Sequence, residues 1–220
     1  MDLRIGSINT RELGEKFKRW EIFNWLKCKK MSVYLIQEAH CTEDNIHDWR
    51  AEWGYQALVS CYSSNKAGVA ILFNNNFSFQ LLKAYTDPKE RFIICDLITN
   101  GKHITLANIY APNEDDPNFF TSVFNQLLDF KCEEIIVGGD FNLVLNVDKD
   151  KKGGVARSHK KSLEVINDFS VNLDLRGSYT LRYKFFSRKP FFWNMKIQHP
   201  CPFVNRILKR FSSNYSRIYV

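Results

Sequence analysis

Glu134-Ile135-Ile136-Val137-Gly138-Gly139-Asp140-Phe141-Asn142 reads as an apolar strand that runs out, through two glycines, into a carboxylate and an amide. An uninterrupted apolar run bounded by glycine is the pattern of a strand buried on both faces. Polar groups just beyond such a strand lie at one rim of a sheet, where α/β folds assemble their sites. Three other stretches repeat the arrangement. Asn9 follows Ile5-Gly6-Ser7-Ile8, and Glu38 follows Val33-Tyr34-Leu35-Ile36-Gln37. Tyr110 closes Thr105-Leu106-Ala107-Asn108-Ile109 and leads into Ala111-Pro112-Asn113.

Outward from these strand ends, the first 175 residues alternate strands and helices. Strands are expected over residues 3–9, 32–37 and 134–138. A strand pair is expected over 55–62 and 68–73, with Lys66-Ala67-Gly68 as the bend. A second pair spans 91–98 and 103–110, around an Asn100-Gly101 turn that favours a tight hairpin. Residues 16–30 have a helical spacing that puts Phe17, Trp20, Phe23 and Leu26 toward the core. Residues 117–131 form a helix capped by Asp116 with Pro117 in its first position, burying Phe120, Val123, Phe124, Leu127 and Leu128. A last helix, 158–173, carries Leu163, Ile166 and Phe169 in step. No repeat or linker divides these pieces, so they form one domain. Hairpins among the strands favour mixed sheets with helices outside, and the absence of Gly-x-Gly-x-x-Gly argues against a dinucleotide-binding sheet.

With 220 residues and 45% apolar content the chain supports a substantial core. No run approaches the roughly 20 apolar residues that cross a bilayer. The start, Met-Asp-Leu-Arg-Ile-Gly-Ser, has no basic segment followed by a long apolar one. The expectation is therefore a non-membrane, non-secreted monomer of the nucleus or cytoplasm. The 6 cysteines are scattered singly, which argues against a disulfide scaffold or zinc ribbon and suits a reducing compartment. The net charge of +7 conceals a break. Residues 1–175 hold 21 Lys and Arg against all 24 acids, a net of −3, whereas residues 176–220 hold 10 basic residues and no acid. The same 45 residues contain 11 of the 32 aromatic side chains.

Metal-assisted phosphodiester hydrolysis suits the polar groups at the strand ends. Mg²⁺ takes hard oxygen ligands and keeps much of its water, so one or two carboxylates with an amide suffice. Glu38 can hold the ion and Asn9 can help position it. Asp140 can orient or activate the attacking water, while Asn142 and Tyr110 can bind the phosphate. His40 reads as a neighbour of Glu38 rather than a base. Taken singly each residue is ordinary: a Glu after a strand is usually a solvated strand end, and Asp-Phe-Asn after Gly-Gly is a common turn composition.

Taken in series, Ser7-Ile8-Asn9, Leu35-Ile36-Gln37-Glu38, Asn108-Ile109-Tyr110-Ala111-Pro112-Asn113 and Gly138-Gly139-Asp140-Phe141-Asn142 resemble the successive motifs of the endonuclease/exonuclease/phosphatase superfamily. Within it they are most similar to the endonuclease domain of LINE-type (non-LTR) retrotransposons, as is Lys151-Lys152-Gly153-Gly154-Val155-Ala156-Arg157-Ser158-His159 before a helix. The resemblance covers residues 1–175. It implies an α/β fold, a two-sheet sandwich flanked by helices like that of deoxyribonuclease I. It also implies Mg²⁺-dependent nicking of DNA, with Mn²⁺ as a substitute, the nick supplying a 3′ hydroxyl that primes reverse transcription. By motif match Glu38 is the metal ligand with Asn9 as its companion, and Asp140, Asn142 and Tyr110 form the catalytic set. Asn142, Tyr110 and Asn113 are its phosphate- and DNA-binding residues.

The pattern fails at the C-terminal end. The family's Ser-Asp-His motif supplies a His at the scissile phosphate and an Asp that orients it. This chain has no acid after Asp174, and its one downstream histidine is His199. Ser216-Arg217-Ile218-Tyr219 has a tyrosine where the family's last strand has aspartate. Residues 176–220 therefore read as a basic, aromatic tail that departs from the family pattern. The expected results are one sheet short of its last strand and impaired hydrolysis. Glu12 stands where related chains often have glycine, and costs about 1 kcal/mol if that turn requires φ > 0. Two alternatives remain: a non-catalytic nucleic-acid binder that uses the tail, and a phosphatase or phosphodiesterase of the same superfamily.

Overall fold

The computed structural model describes residues 3–60, 68–130, 134–143, 159–172, 191–196 and 218–219. One sheet is built from β1 (Arg4–Asn9), β2 (Val33–Gln37), β3 (Ala57–Val59), β4 (Val69–Phe73) and β10 (Ile218–Tyr219), in the order β10-β1-β2-β4-β3. The other is built from β5 (Gln80–Thr86), β6 (Phe92–Thr99), β7 (Lys102–Tyr110), β8 (Glu134–Asp140) and β9 (Phe191–Lys196), in chain order. Within each sheet one pair is parallel, β1 with β2 and β7 with β8, and the other pairs are antiparallel.

The sheets pack face to face through Val33, Leu35, Ile71, Cys95, Leu106 and Ile136. Helices α1 (Lys16–Lys29) and α2 (Ile46–Trp53) cover the outside of the first sheet, on Tyr34, Ile36 and Leu72. Helices α3 (Pro117–Leu128) and α4 (Lys160–Asn172) cover the second, on Ile94, Ile109 and Val137. Alternate residues of β2 and β8 thus enter different cores, which is why both read as unbroken apolar runs. The α/β two-sheet sandwich expected from the sequence is the architecture found, and the Asn100-Gly101 hairpin forms with both turn residues at positive φ, 51° and 73°.

Several expectations need correction. In α1 the buried stripe is Arg19, Phe23 and Leu26, while Phe17 and Trp20 are exposed. Arg19 takes the inner position because its guanidinium has partners there: both oxygens of Glu52 on α2, at 2.6 and 2.9 Å, and the carbonyls of Leu13 and Gly14. In α3 Leu128 is exposed, because the helix ends there and the chain turns to bury Phe130 instead. Helix α2, anchored by buried Trp49 and Trp53, and the edge strand β5 were not foreseen. The basic tail does not leave the sheets short. Its β9 pairs with β8 and its β10 with β1, so each sheet has five strands. Strand pairing uses backbone groups, and an aromatic-rich segment suits it without any motif. The proposed boundary at residue 175, residues 151–158, Lys66 and His199 lie outside the described residues. Among the described cysteines Cys28 and Cys95 are free thiols and Cys41 is disulfide-bonded.

Candidate active site

The parallel pairs carry their residues to the same end of the sandwich, with Asn9 opposite Gln37 and Tyr110 opposite Asp140. On the first sheet the exits are clamped together. Thr10 N–H donates to the Gln37 carbonyl at 2.9 Å, Glu12 N–H to that of Glu38 at 3.0 Å and Leu13 N–H to that of Ala39 at 3.2 Å. This knot forces left-handed backbone onto Arg11, Glu12, Glu38 and His40, at φ 49°, 77°, 54° and 50°. Glu12 therefore sits at the positive φ that the sequence raised. Such residues cost of order 1 kcal/mol or more each and persist where the surroundings over-determine them. Arg19 is part of those surroundings, since it holds the carbonyls at the end of the knot.

On the second sheet the device is a close approach. Gly139 has φ 136°, and a Cβ there would lie 2.0 Å from the Ile109 carbonyl oxygen. Only glycine lets β8 press against β7 at this point, and the next residue is Asp140. The Asp140 carbonyl accepts from Ala111 N–H at 2.8 Å, which continues the pairing past the strand ends.

The two rims meet in one polar cluster. Asn9 Nδ2 donates to Glu38 Oε1 at 2.8 Å and to Asp140 Oδ2 at 3.0 Å, the second bond spanning the sheets. Tyr110 Oη donates to the same Glu38 oxygen at 3.1 Å. Asn9 is itself oriented by Arg11 N–H, which donates to its Oδ1 at 3.0 Å. Asn142, left-handed at φ 49°, attaches through its backbone N–H to Asp140 Oδ1 at 3.1 Å, and its amide is spent on the Ala111 carbonyl at 2.7 Å. Asn113 is not drawn in: it is exposed, and its carbonyl lies 3.0 Å from His159 Nε2.

Burial, reinforced by the negative charge of Glu38, pushes the Tyr110 phenol up to about 12. It is therefore a neutral hydrogen-bond donor at physiological pH rather than a phenolate. The Arg91 guanidinium stands 5.0 Å from the Tyr110 ring and opposes part of that shift. The donor set fits a hard divalent cation. Two carboxylates share one amide, and Oε2 of Glu38 accepts no hydrogen bond among the described residues. No cluster of three or more His, Cys, Asp or Glu that could hold a metal ion is found among the described residues.

Beneath the cluster lie two residues whose role the sequence reading missed. Gln37 and Asn108 are wholly buried side-chain amides, one from each sheet. Gln37 Nε2 donates to Asn108 Oδ1 at 2.7 Å, and Asn108 Nδ2 donates across to the carbonyls of Ile36 and Ala70 at 2.8 and 2.9 Å. They set how the two rims face each other. The available signal was an amide inside an otherwise apolar strand, directly before Glu38 and two residues before Tyr110.

No family model matches the chain. Among curated proteins it is similar to the transposon TX1 uncharacterized 149 kDa protein of Xenopus laevis, 27% identical over 176 residues. That match covers 78% of this chain, and the chain spans 13% of the length of that relative. Among solved structures it resembles the endonuclease domain of TRAS1, a telomere-specific non-LTR retrotransposon, with a TM-score of 0.59 over 90% of this chain and all of that one, at 14% identity. An AP endonuclease from Archaeoglobus fulgidus superposes with a TM-score of 0.57 over 87% of this chain and 86% of its own, at 16% identity. The catalytic domain of APE2 from Xenopus laevis gives 0.57 over 76% and 67%, also at 16% identity. The fold is therefore a deoxyribonuclease I-like sandwich, as in these nuclease domains.

Proposed function

We propose that this chain is a LINE-type endonuclease domain by descent, built for Mg²⁺-dependent nicking of DNA and impaired in that reaction. One observation carries the reading: Asn9 bridges Glu38 and Asp140 while Tyr110 bonds the same Glu38. Four residues from four separate motifs thereby become one cluster. Glu38, with Asn9, is the place for one Mg²⁺ or Mn²⁺, which when bound supplies Lewis-acid polarisation of a phosphoryl oxygen. Asp140 takes the proton of the attacking water as its oxygen bonds to phosphorus, the P–O3′ bond breaks, and the departing O3′ takes a proton from solvent, leaving a 5′ phosphate and a 3′ hydroxyl. Tyr110, neutral, directs its O–H at the phosphate, and Asn142, whose amide is held by the Ala111 carbonyl, positions Asp140 through its backbone N–H.

What the sequence lacks is the Asp-His pair at the same phosphate. Loss of one such donor costs ~2.7–4 kcal/mol, or ~10²–10³ in rate. Nicking of supercoiled plasmid tests this. The expected result is slow nicking with Mg²⁺, abolished by EDTA and by Glu38→Ala or Asp140→Ala. Nicking indifferent to both substitutions would sink the site assignment, and a rate equal to that of a relative with the Asp-His pair would sink the impairment. The second reading, a non-catalytic nucleic-acid binder, draws on the 10 basic residues and no acid after residue 175. It requires metal-independent DNA binding with no nicking. Release of phosphate from monoesters in a substrate panel would favour the phosphatase reading.

A further inference from the structure

We infer that the exposed face at the start of α1 is a nucleic-acid contact surface on which Phe17 and Trp20 stack unpaired bases beside the candidate active site. The inference rests on the nucleic-acid substrate of the reading above but not on catalysis. Phe17 is 63% exposed, Trp20 54% and Trp25 43%, so one helix holds three of the six exposed large apolar residues described. The core does not use them, because α1 packs through Arg19, Phe23 and Leu26. The Phe17 and Trp20 rings lie 6.1 Å apart with planes only 28° from parallel, a two-ring platform open to solvent.

Its charge points to the occupant. Residues 11–30 hold seven basic and three acidic side chains, in a body that is otherwise acidic on balance. With Arg19 buried against Glu52 and Lys18 and Lys27 bonded to carbonyls, the exposed basic side chains of the segment include Arg11, Lys16 and Lys30. Of the acids, Glu15 is spent on the helix start, where it accepts from Phe17 and Lys18 N–H. Lys16, beside the platform, is exposed, and Lys29 lies 5.0 Å from the Trp25 ring. Protein–protein interfaces are depleted in lysine at their cores. Aromatic platforms interleaved with basic side chains are how single strands are held, by base stacking and phosphate pairing. The placement agrees. The knot from Thr10 to Leu13 is bonded to the Glu38 and Ala39 carbonyls, Gly14 stands against the His40 carbonyl, and α1 begins two residues later.

The test is fluorescence anisotropy of a labelled single-stranded oligonucleotide in EDTA, with the full chain. Trp20→Ala and Phe17→Ala should each raise Kd about tenfold without altering the salt slope. Lys16→Gln should lower the slope of log K against log salt by about 0.7. Leu128→Ala, exposed on the opposite side of the sandwich, should change nothing. Unchanged affinity in both aromatic variants would overturn the inference. So would self-association that disappears in them, because the face would then belong to a second copy. Binding through α1 without nicking would defeat only the catalytic reading. Nicking with binding unmoved by these variants would defeat only this one.

Discussion

The two rims of the site are held in place by opposite means. Asn9 and Glu38 sit on exits bent into left-handed backbone by non-glycine residues, tied by a knot of hydrogen bonds that Arg19 backs from behind. Tyr110 and Asp140 sit on strands pressed together at a glycine, with a single left-handed non-glycine residue, Asn142, just beyond Asp140. A rim held by bonds can loosen locally when one bond is cut. A rim held by contact cannot yield without separating the strands.

The largest effect should come from Gly139→Ala, which places a methyl group where backbone already stands. Urea unfolding should show a loss of at least ~4 kcal/mol, or no folded protein, and a loss under ~1 kcal/mol would break the contrast. Next is Arg19→Met, which abandons Glu52 and two carbonyls at a cost of about 3 kcal/mol. Amide exchange should then quicken at Glu12 and Leu13, the donors to Glu38 and Ala39, and not at Ala111. Equal quickening at both rims would show that they are one cooperative unit. Asn108→Leu should cost roughly 1–3 kcal/mol by removing the shortest bond of the buried Gln37 amide, which keeps Ser7 and the Leu35 carbonyl, and the side-chain donor to the Ile36 and Ala70 carbonyls. Gln37→Met added to it should recover part of that loss, and no recovery would mean that the amides act separately. The smallest effect should be a gain: Glu12→Gly relieves the φ of 77°, raising stability by about 0.5–1 kcal/mol in the same urea measurement.

How much of this was legible follows from the kind of force involved. Strand ends could be read because burial on both faces leaves a continuous apolar run and a polar residue stands out where it stops, as at Glu38 and Asp140. The core of α3 could be read because Phe120, Val123, Phe124 and Leu127 are apolar and buried together. Helix α1 misled because its inner position goes to Arg19, whose burial depends on Glu52, 33 residues away, so that Phe17 and Trp20 are displaced outward. The cluster of Asn9, Glu38, Tyr110 and Asp140 was legible as a set of residues. Its bonds were not, and neither were the buried amides beneath it, because they depend on how one sheet lies over the other.

The pairing of β10 with β1 has a consequence for handling the protein. Arg4 stands opposite Tyr219, so the first and last described strands meet at the pole farthest from Asn9. A fluorophore or affinity handle placed at Arg4 would therefore sit at the end of the sandwich away from Asn9, Glu38, Tyr110 and Asp140, and leave that rim open.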